Sequence, residues 1–478
     1  MPHSVLPLLA QAALASAPVA PQGTLDPLFV GPLTAPAPVV LEDRWQLDTY
    51  LGLPEWLSLG GHQRTRYESF DEDFRAGRSG SGQGIFTRTA LRADATFETF
   101  GGTLEILDSR KFDTPTDLPL NTGIVNALDI LQLNATASFE GALAEGDDLH
   151  VLAGRHTMDV GSRRFVARNR FRNTINAFTG LNALWKDGAG DQVRAFFTFP
   201  VQRLPRDGAS LRDNDIEADE ERTQVRFFGV HAQRDEVLED VRGELYLFGL
   251  DEDDGDDLAT RNREIWTAGF RMLKPHAPDS IHWELEAAYQ TGDSRASSAG
   301  TDTTDLDHRA EFAHLTFGYR WDHDWQPRLE LLVDWASGDD DPTDGEQNRF
   351  DTLFGARRFE FGPTGIFGAF ARANLFSPGV RLNCKPSENT ELMITNRLHY
   401  LASDRDAWPP SGLADPTGAA GDYVGNLAEF RLRWDPKPNL RVEGGVAHLF
   451  AGSFIEDAPN ATTQDDSTYV YLMTVLTF

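Results

Sequence analysis

The connections between the extended segments of this chain are sorted by length, and few folds sort them. From Trp56 onward apolar and polar residues alternate with a period of two, the period of a strand with two unlike faces. In 328–337, Leu329, Leu331, Val333 and Trp335 face one way and Arg328, Glu330, Leu332 and Asp334 the other. In 281–292, Ile281, Trp283, Leu285, Ala287 and Tyr289 oppose His282, Glu284, Glu286 and Gln290; in 427–435, Ala428, Phe430, Leu432 and Trp434 oppose Glu429, Arg431 and Arg433. The pattern predicts eighteen strands, near 56–70, 84–99, 102–111, 126–140, 149–158, 175–187, 191–200, 223–234, 241–250, 262–273, 280–292, 308–321, 327–336, 369–384, 389–402, 423–435, 439–452 and 467–478. Connections after even strands are mostly short, such as GG, KDGAG, DHDWQ, KPSE and KPN. Those after odd strands are mostly long: 71–83, 112–125, 159–174, 201–222, 293–307, 337–368, 403–422 and 453–466. A soluble sandwich has no reason to sort loops by strand parity. A barrel in an outer membrane does, with short turns at one rim and long loops at the other. The expected fold is all-β: a transmembrane antiparallel up-and-down barrel of about 18 strands, with long extracellular loops and short periplasmic turns.

The rest of the composition fits that reading. No run of 18 apolar residues exists, so no transmembrane helix is expected. A barrel tolerates the polar average because only alternate strand residues face lipid. The final stretch, STYVYLMTVLTF, needs a partner along its edge and an apolar medium at its face. Pairing with the first strand closes the wall and leaves no edge. A last strand ending in Phe478 also resembles the signal read by the outer-membrane insertion machinery, an expected partner. At the other end, residues 1–15 read as a signal peptide, with an apolar core over 4–15 and small-x-small patterns at 13–15 and 15–17. Residues 16–50 read as a Pro-rich periplasmic linker, with six prolines in 18–40, and 51–478 as the barrel. Cys384 is the single cysteine, which excludes an intramolecular disulfide and a cysteine-based metal cluster.

The chain has 74 acidic against 44 basic residues, a net charge of −30, which argues against nucleic acid as a partner. The acids cluster in expected external loops, at 213–221, 251–257, 337–346 and 465–467, while many arginines lie in strands. The clusters at 251–257 and 337–346 lack the EF-hand spacing and read as solvated loops, so no metal or other cofactor is expected. No nucleophile elbow, phosphate loop, dinucleotide fingerprint or zinc-protease motif is present, and no enzymatic activity is expected. The polar strand face presents Arg88, Arg92, Arg155, Arg226, Arg271, Arg397, Arg431 and Arg433, interleaved with Asp94, Glu244, Glu284, Glu286, Glu330 and Glu429. Guanidinium forks bind carboxylates bidentately, and rings of arginine set anion preference in pores. The same ladder also serves to brace a wide wall. Residues 163–172 add Arg163, Arg164, Arg168, Arg170 and Arg172 with no acid between them. Such a stretch attracts a carboxylate or phosphate, whether of a ligand or of lipopolysaccharide, or pairs with the chain's own acidic loops.

Several of these stretches resemble the alginate export family of outer-membrane barrels. The segment 153–181 carries Gly154-Arg155, Gly161 and Arg164, then Asn173, Phe178 and Gly180, in the family's order. The loop SGDDDPTDGEQNRFDTLFGARRFEFG (337–362), the segment 365–408 with Asn374 at the family's Asn, and AGSFI (451–455) extend the likeness. Where family members usually carry Arg and Asp, this chain has Asn176 and Thr179. The resemblance implies a bacterial outer-membrane channel for an anionic polysaccharide or acidic oligosaccharide, surrounded by outer-membrane lipid and lipopolysaccharide, with Asn374 among its pore residues. The alternative is a substrate-selective porin for uptake of small acidic nutrients.

Overall fold

A computed structural model describes residues 46–478 other than 117 and 256. The expected signal peptide and most of the expected linker lie outside the described residues. The linker's last residues begin a one-turn helix, α1 (Leu47–Leu51), whose Asp48 accepts a bond from Ser58 at 3.1 Å.

Eighteen strands of nine to fifteen residues form the wall. They are β1 (Leu57–Asp71), β2 (Gly82–Thr96), β3 (Phe100–Phe112), β4 (Asn126–Glu140), β5 (Asp148–His156), β6 (Phe178–Lys186), β7 (Gln192–Gln202), β8 (Val225–Leu238), β9 (Val241–Glu252), β10 (Glu264–Lys274), β11 (Ser280–Ser294), β12 (Leu306–Arg320), β13 (Arg328–Ala336), β14 (Leu375–Ser387), β15 (Thr390–Tyr400), β16 (Tyr423–Lys437), β17 (Leu440–Ala451) and β18 (Ser467–Thr477). Each pairs antiparallel with its neighbours in sequence. β18 returns to β1 in register from His62↔Thr477 to Asp71↔Thr468, so the sheet closes on itself. Phe478 continues the pairing through both backbone bonds to Gly61, at 2.8 and 3.0 Å. A Cβ on Gly61 would stand 2.7 Å from the Phe478 ring, so glycine makes the room for it. Among the described residues no helix is long and apolar enough to cross a membrane.

The eighteen expected strands correspond to these in order. The largest displacement is at β14, expected from 369 and observed from Leu375. Phe370, Arg372 and Asn374 alternate like a strand, but their side chains serve a loop packed inside the barrel. Strand parity also sorts the connections as expected. Turns such as 239–240, 388–389 and 438–439 follow even strands, and long segments such as 157–177, 203–224, 337–374 and 401–422 follow odd ones. These four are the third, fourth, seventh and eighth long loops. The fourth contains α2 (Gly208–Asp213), the seventh α3 (Arg358–Phe361) and the ninth α4 (Ser453–Asp457).

The two faces separate cleanly. On β13, Leu331 is 55% exposed while Glu330, Leu332 and Asp334 are buried. Phe430, Leu432 and Trp434 of β16 are outward, and Glu429, Arg431 and Arg433 inward. Outward apolar side chains form the lipid-facing belt, and Trp56, Phe97, Trp321 and Trp325 stand exposed at the short-turn rim, where interfacial aromatics belong. Inside, aromatic clusters pack the loops against the wall. Phe74, Phe367, Phe370 and Trp408 form one, and Phe165, Phe227, Phe312 and Phe350 another.

The short turns face the periplasm in this arrangement. Cysteines at Asp254 and Asp341 should therefore react with an impermeant thiol reagent on intact cells, and cysteines at Gly188 and Pro438 should not. Equal labelling of both pairs would reverse or abolish the assigned orientation.

Candidate functional site

Two long loops turn into the barrel and meet. In the third loop Val160 pairs with Val166, and Val166 with Phe354 of the seventh loop. Phe354 N–H donates to the Phe165 carbonyl and Ala356 N–H to the Arg163 carbonyl, both at 2.9 Å. A Cβ on Gly355 would lie 1.7 Å from the Arg164 oxygen, so the crossing requires glycine there.

Inward arginines of the wall hold this ribbon by its carbonyls. Arg64 donates to the carbonyls of Arg170, Phe171 and Arg172 at 3.0, 3.1 and 3.0 Å and to Asn173 Oδ1 at 2.7 Å. Arg66 donates to Phe171, and Arg88 to Arg170 and Arg172 at 2.9 and 3.2 Å. The seventh loop is held likewise. Arg381 donates to the Phe359 carbonyl, Arg397 to that of Glu360 at 3.3 Å, and Arg358 pairs with Glu429 at 2.7 Å. Ile366 N–H donates to Glu68 of β1 at 2.9 Å, so the loop reaches across the interior from β13 to β1.

Between the two loops lies a cavity of about 330 Å³. Arg172, Arg203, Arg357 and Arg372 line it, with the amides of Asn169 and Asn176, and no carboxylate does. Among the described residues no carboxylate lies within ion-pair distance of Arg172, Arg203 or Arg357; Arg372 pairs with Glu360. Burial presses the Arg172 guanidinium well below the ordinary arginine range, helped by Arg203 and Arg357. Burial, with Arg75 and Arg372, lowers Arg357 to about 10. These are half-buried cations without a carboxylate at ion-pair distance, a setting that favours binding of an anion.

Most inward residues of the expected ladder are instead neutralised in place. Arg92 pairs with Asp94 at 2.7 Å, Arg271 with Glu244 and Glu284 at 2.7 and 2.8 Å, and Arg433 with Glu443 and Glu391 at 3.1 and 2.6 Å. Arg164 is enclosed by Glu284, Glu286 and Glu360. Arg168 faces Glu105 at 3.5 Å, Arg170 Asp159 at 2.8 Å, and Glu330 pairs with Arg328 at 2.9 Å. Arg163 stacks on Phe359 at 5.3 Å. Arg431 lines a small second cavity opening toward the short-turn rim.

Three expected pore residues do not line the interior. Arg155 is in register with Leu133, which is 56% exposed, so both belong to the outward parity. Arg155 binds Asp129 and Glu221 at 2.9 and 2.8 Å. Arg226 shares the parity of outward Val230 and is held at the loop rim by Asp251 and Asp253, at 2.6 and 3.0 Å. Its charge suggested an inward position, but near the rim a charged side chain reaches water from either face. Asn374, expected from the resemblance to be a pore residue, has its amide consumed by Ser403 and Ala407 of the eighth loop, at 2.7–3.1 Å.

Sequence reasoning missed Arg64, Arg66, Arg203, Arg357 and Arg372. Arg64 and Arg66 flank the same inward face as Glu68 and were readable from period two. The other three sit in loops, where no period points.

The fourth loop is fastened to the wall by a carboxyl pair. Asp219 N–H donates to Asp129 at 3.3 Å, and Asp219 accepts from Asn126 Nδ2 and Leu204 N–H at 2.8 and 2.9 Å. Burial and the Asp129 charge raise Asp219 from 3.8 to about 7. A carboxyl group whose pKa is raised on folding stabilises the fold fully below its unfolded value, and that stability is lost as pH rises through the folded value. Proteolysis within 203–224 should therefore speed up as pH rises from about 4 to about 7 and change little above that. Asp219→Asn should remove that pH dependence. Asp339, expected in a solvated loop, is buried beside Asp406, and burial with that charge raises it to about 6.

A family model described as alginate export matches residues 55–468. Comparison with curated proteins finds no sequence match. Among solved structures, Pseudomonas aeruginosa OccK8 (OprE) superposes with a TM-score of 0.55 at 13% identity, covering 88% of this chain and 98% of that one. P. aeruginosa OpdK with vanillate gives 0.53 at 14%, covering 88% and 99%, and P. aeruginosa OccK11 (OpdR) 0.52 at 16%, covering 88% and 96%.

Proposed function

The chain belongs to the alginate export family, and from that membership and the interior geometry we propose a bacterial outer-membrane channel that passes an anionic polysaccharide, alginate-like, or a related acidic solute. One observation carries this reading: the cavity between the inward loops is lined by four arginines and no carboxylate. Sugar carboxylates match guanidinium forks. We assign no chemical step to the chain; its partners are the acidic solute, outer-membrane lipid and lipopolysaccharide around the belt, and the insertion machinery during assembly.

Reversal potentials across a planar bilayer in a salt gradient test the reading. The channel should prefer anions despite its net charge of −30, because the densest acidic clusters lie in outer loops while arginines line the inner cavity. The preference should weaken as salt shortens the screening length, about 8 Å at physiological strength. A cation-selective channel would remove the case for an acidic conduit. The cavity of about 330 Å³ has room for a small acid but not for a long polymer segment, which favours a second reading, uptake of small acidic nutrients. Block by uronates of increasing length separates the two: affinity that rises with length supports a polymer, and affinity that is highest for the monomer supports uptake.

A further inference from the structure

The helix α3 is a partition. On one side lies the four-arginine cavity, which Arg372 lines; on the other lies the smaller cavity toward the short-turn rim, which Glu360 lines. Arg372 and Glu360 are bonded to each other, and the second oxygen of Glu360 takes Arg164. Both guanidiniums therefore meet at one carboxylate between the two cavities.

We propose that Arg164 and Arg372 form a carboxylate-binding subsite whose resting occupant is the chain's own Glu360, and that a carboxylate of the transported acid enters by replacing it. This rests on the reading of the chain as an acidic-solute channel. Three further observations support it. Arg164 also contacts Glu284 and Glu286, but these stand on the wall strand β11, whereas Glu360 stands on a four-residue helix inside a loop. Of the three, only Glu360 belongs to an element outside the closed sheet. Replacement of one carboxylate by another leaves both guanidiniums with an anionic partner in the initial and final states. Arg372 is already placed for exchange, since it borders the cavity in which the incoming acid first meets arginine.

His314, Asp334 and Glu360 also lie within 4.8 Å of one another, a spacing that a metal ion accepts. Here Arg397 occupies Asp334, at 2.7 Å, and Arg164 and Arg372 occupy Glu360, so the cluster is neutralised by guanidiniums and suits carboxylate exchange rather than a cation.

A tethered carboxylate competes at an effective concentration on the order of millimolar. Removing it should strengthen binding of an external one. Galacturonate trisaccharide should block Glu360→Gln channels at a concentration about tenfold lower than wild type. In Glu360→Ala, sodium acetate should return the open-channel conductance toward the wild-type value, and sodium chloride at equal ionic strength should not. Anion-selective wild-type channels with unchanged block in Glu360→Gln would overturn the exchange and leave the conduit intact. Cation-selective wild-type channels would overturn both. Should Glu360→Gln fail to assemble, Glu360→Asp keeps the charge on a shorter arm: block stronger than wild type supports exchange, and block equal to wild type overturns it.

Discussion

Channels carrying Arg172→Ala and Arg357→Ala together should lose their preference for anions, with block by uronate oligomers weakened about 10- to 100-fold. Hydrogen bonds to charged groups contribute about 1.5–3 kcal/mol each. Two neighbouring sites share one ligand, so their losses should not add fully. Arg172 and Arg357 have no internal carboxylate to release, so their removal exposes no buried acid. Assembly and thermal stability should be unchanged or improved, since two mutually repelling half-buried cations are gone. Zero-current potentials and oligomer block, measured beside heat-dependent gel mobility, check both halves. Retained selectivity in the double variant would move the anion site elsewhere in the interior.

Arg64→Ala should have the opposite profile: selectivity largely kept, but the constriction loosened. Its guanidinium bonds three carbonyls of the third loop and Asn173 Oδ1, and it is 1% exposed. Each buried acceptor left unsatisfied costs about 1–3 kcal/mol, so water must enter or the ribbon must move. Single-channel conductance should rise severalfold, and cells should become permeable to bulky solutes. Arg92→Ala is the matched control. It lies on the same inward face but pairs with Asp94 rather than with a loop, so its conductance should stay near wild type. Equal conductance in Arg64→Ala and wild type would mean that the pairing of the third loop with the seventh suffices to hold the constriction.

The difference between these two arginines marks how far a sequence can be read. Arg64, Arg88 and Arg92 all lie at inward positions of β1 and β2, and period two places them there. Nothing local says that Arg64 and Arg88 meet loop carbonyls about 80–110 residues away while Arg92 meets an acid two residues away. Arg155 and Arg226 show the complementary error. Charge suggested the interior, whereas register against Leu133 and the outward Val230 places them on the other face, at a rim where charge is tolerated.

What the sequence by itself determined is the wall. In lipid every backbone group must be paired and only alternate side chains must be apolar, and both demands leave a local trace: strands of alternating character, and connections sorted by parity. Strand number, closure and facing follow from that trace. Tertiary structure alone decided the interior. Arg164 meets Glu284 and Glu360, 120 and 196 residues away, and Arg372 meets the cavity only because the seventh loop crosses from β13 to β1. Whether an inward arginine faces a carboxylate, a carbonyl or open space depends on where those loops fold, and loops carry no period from which that position could be read.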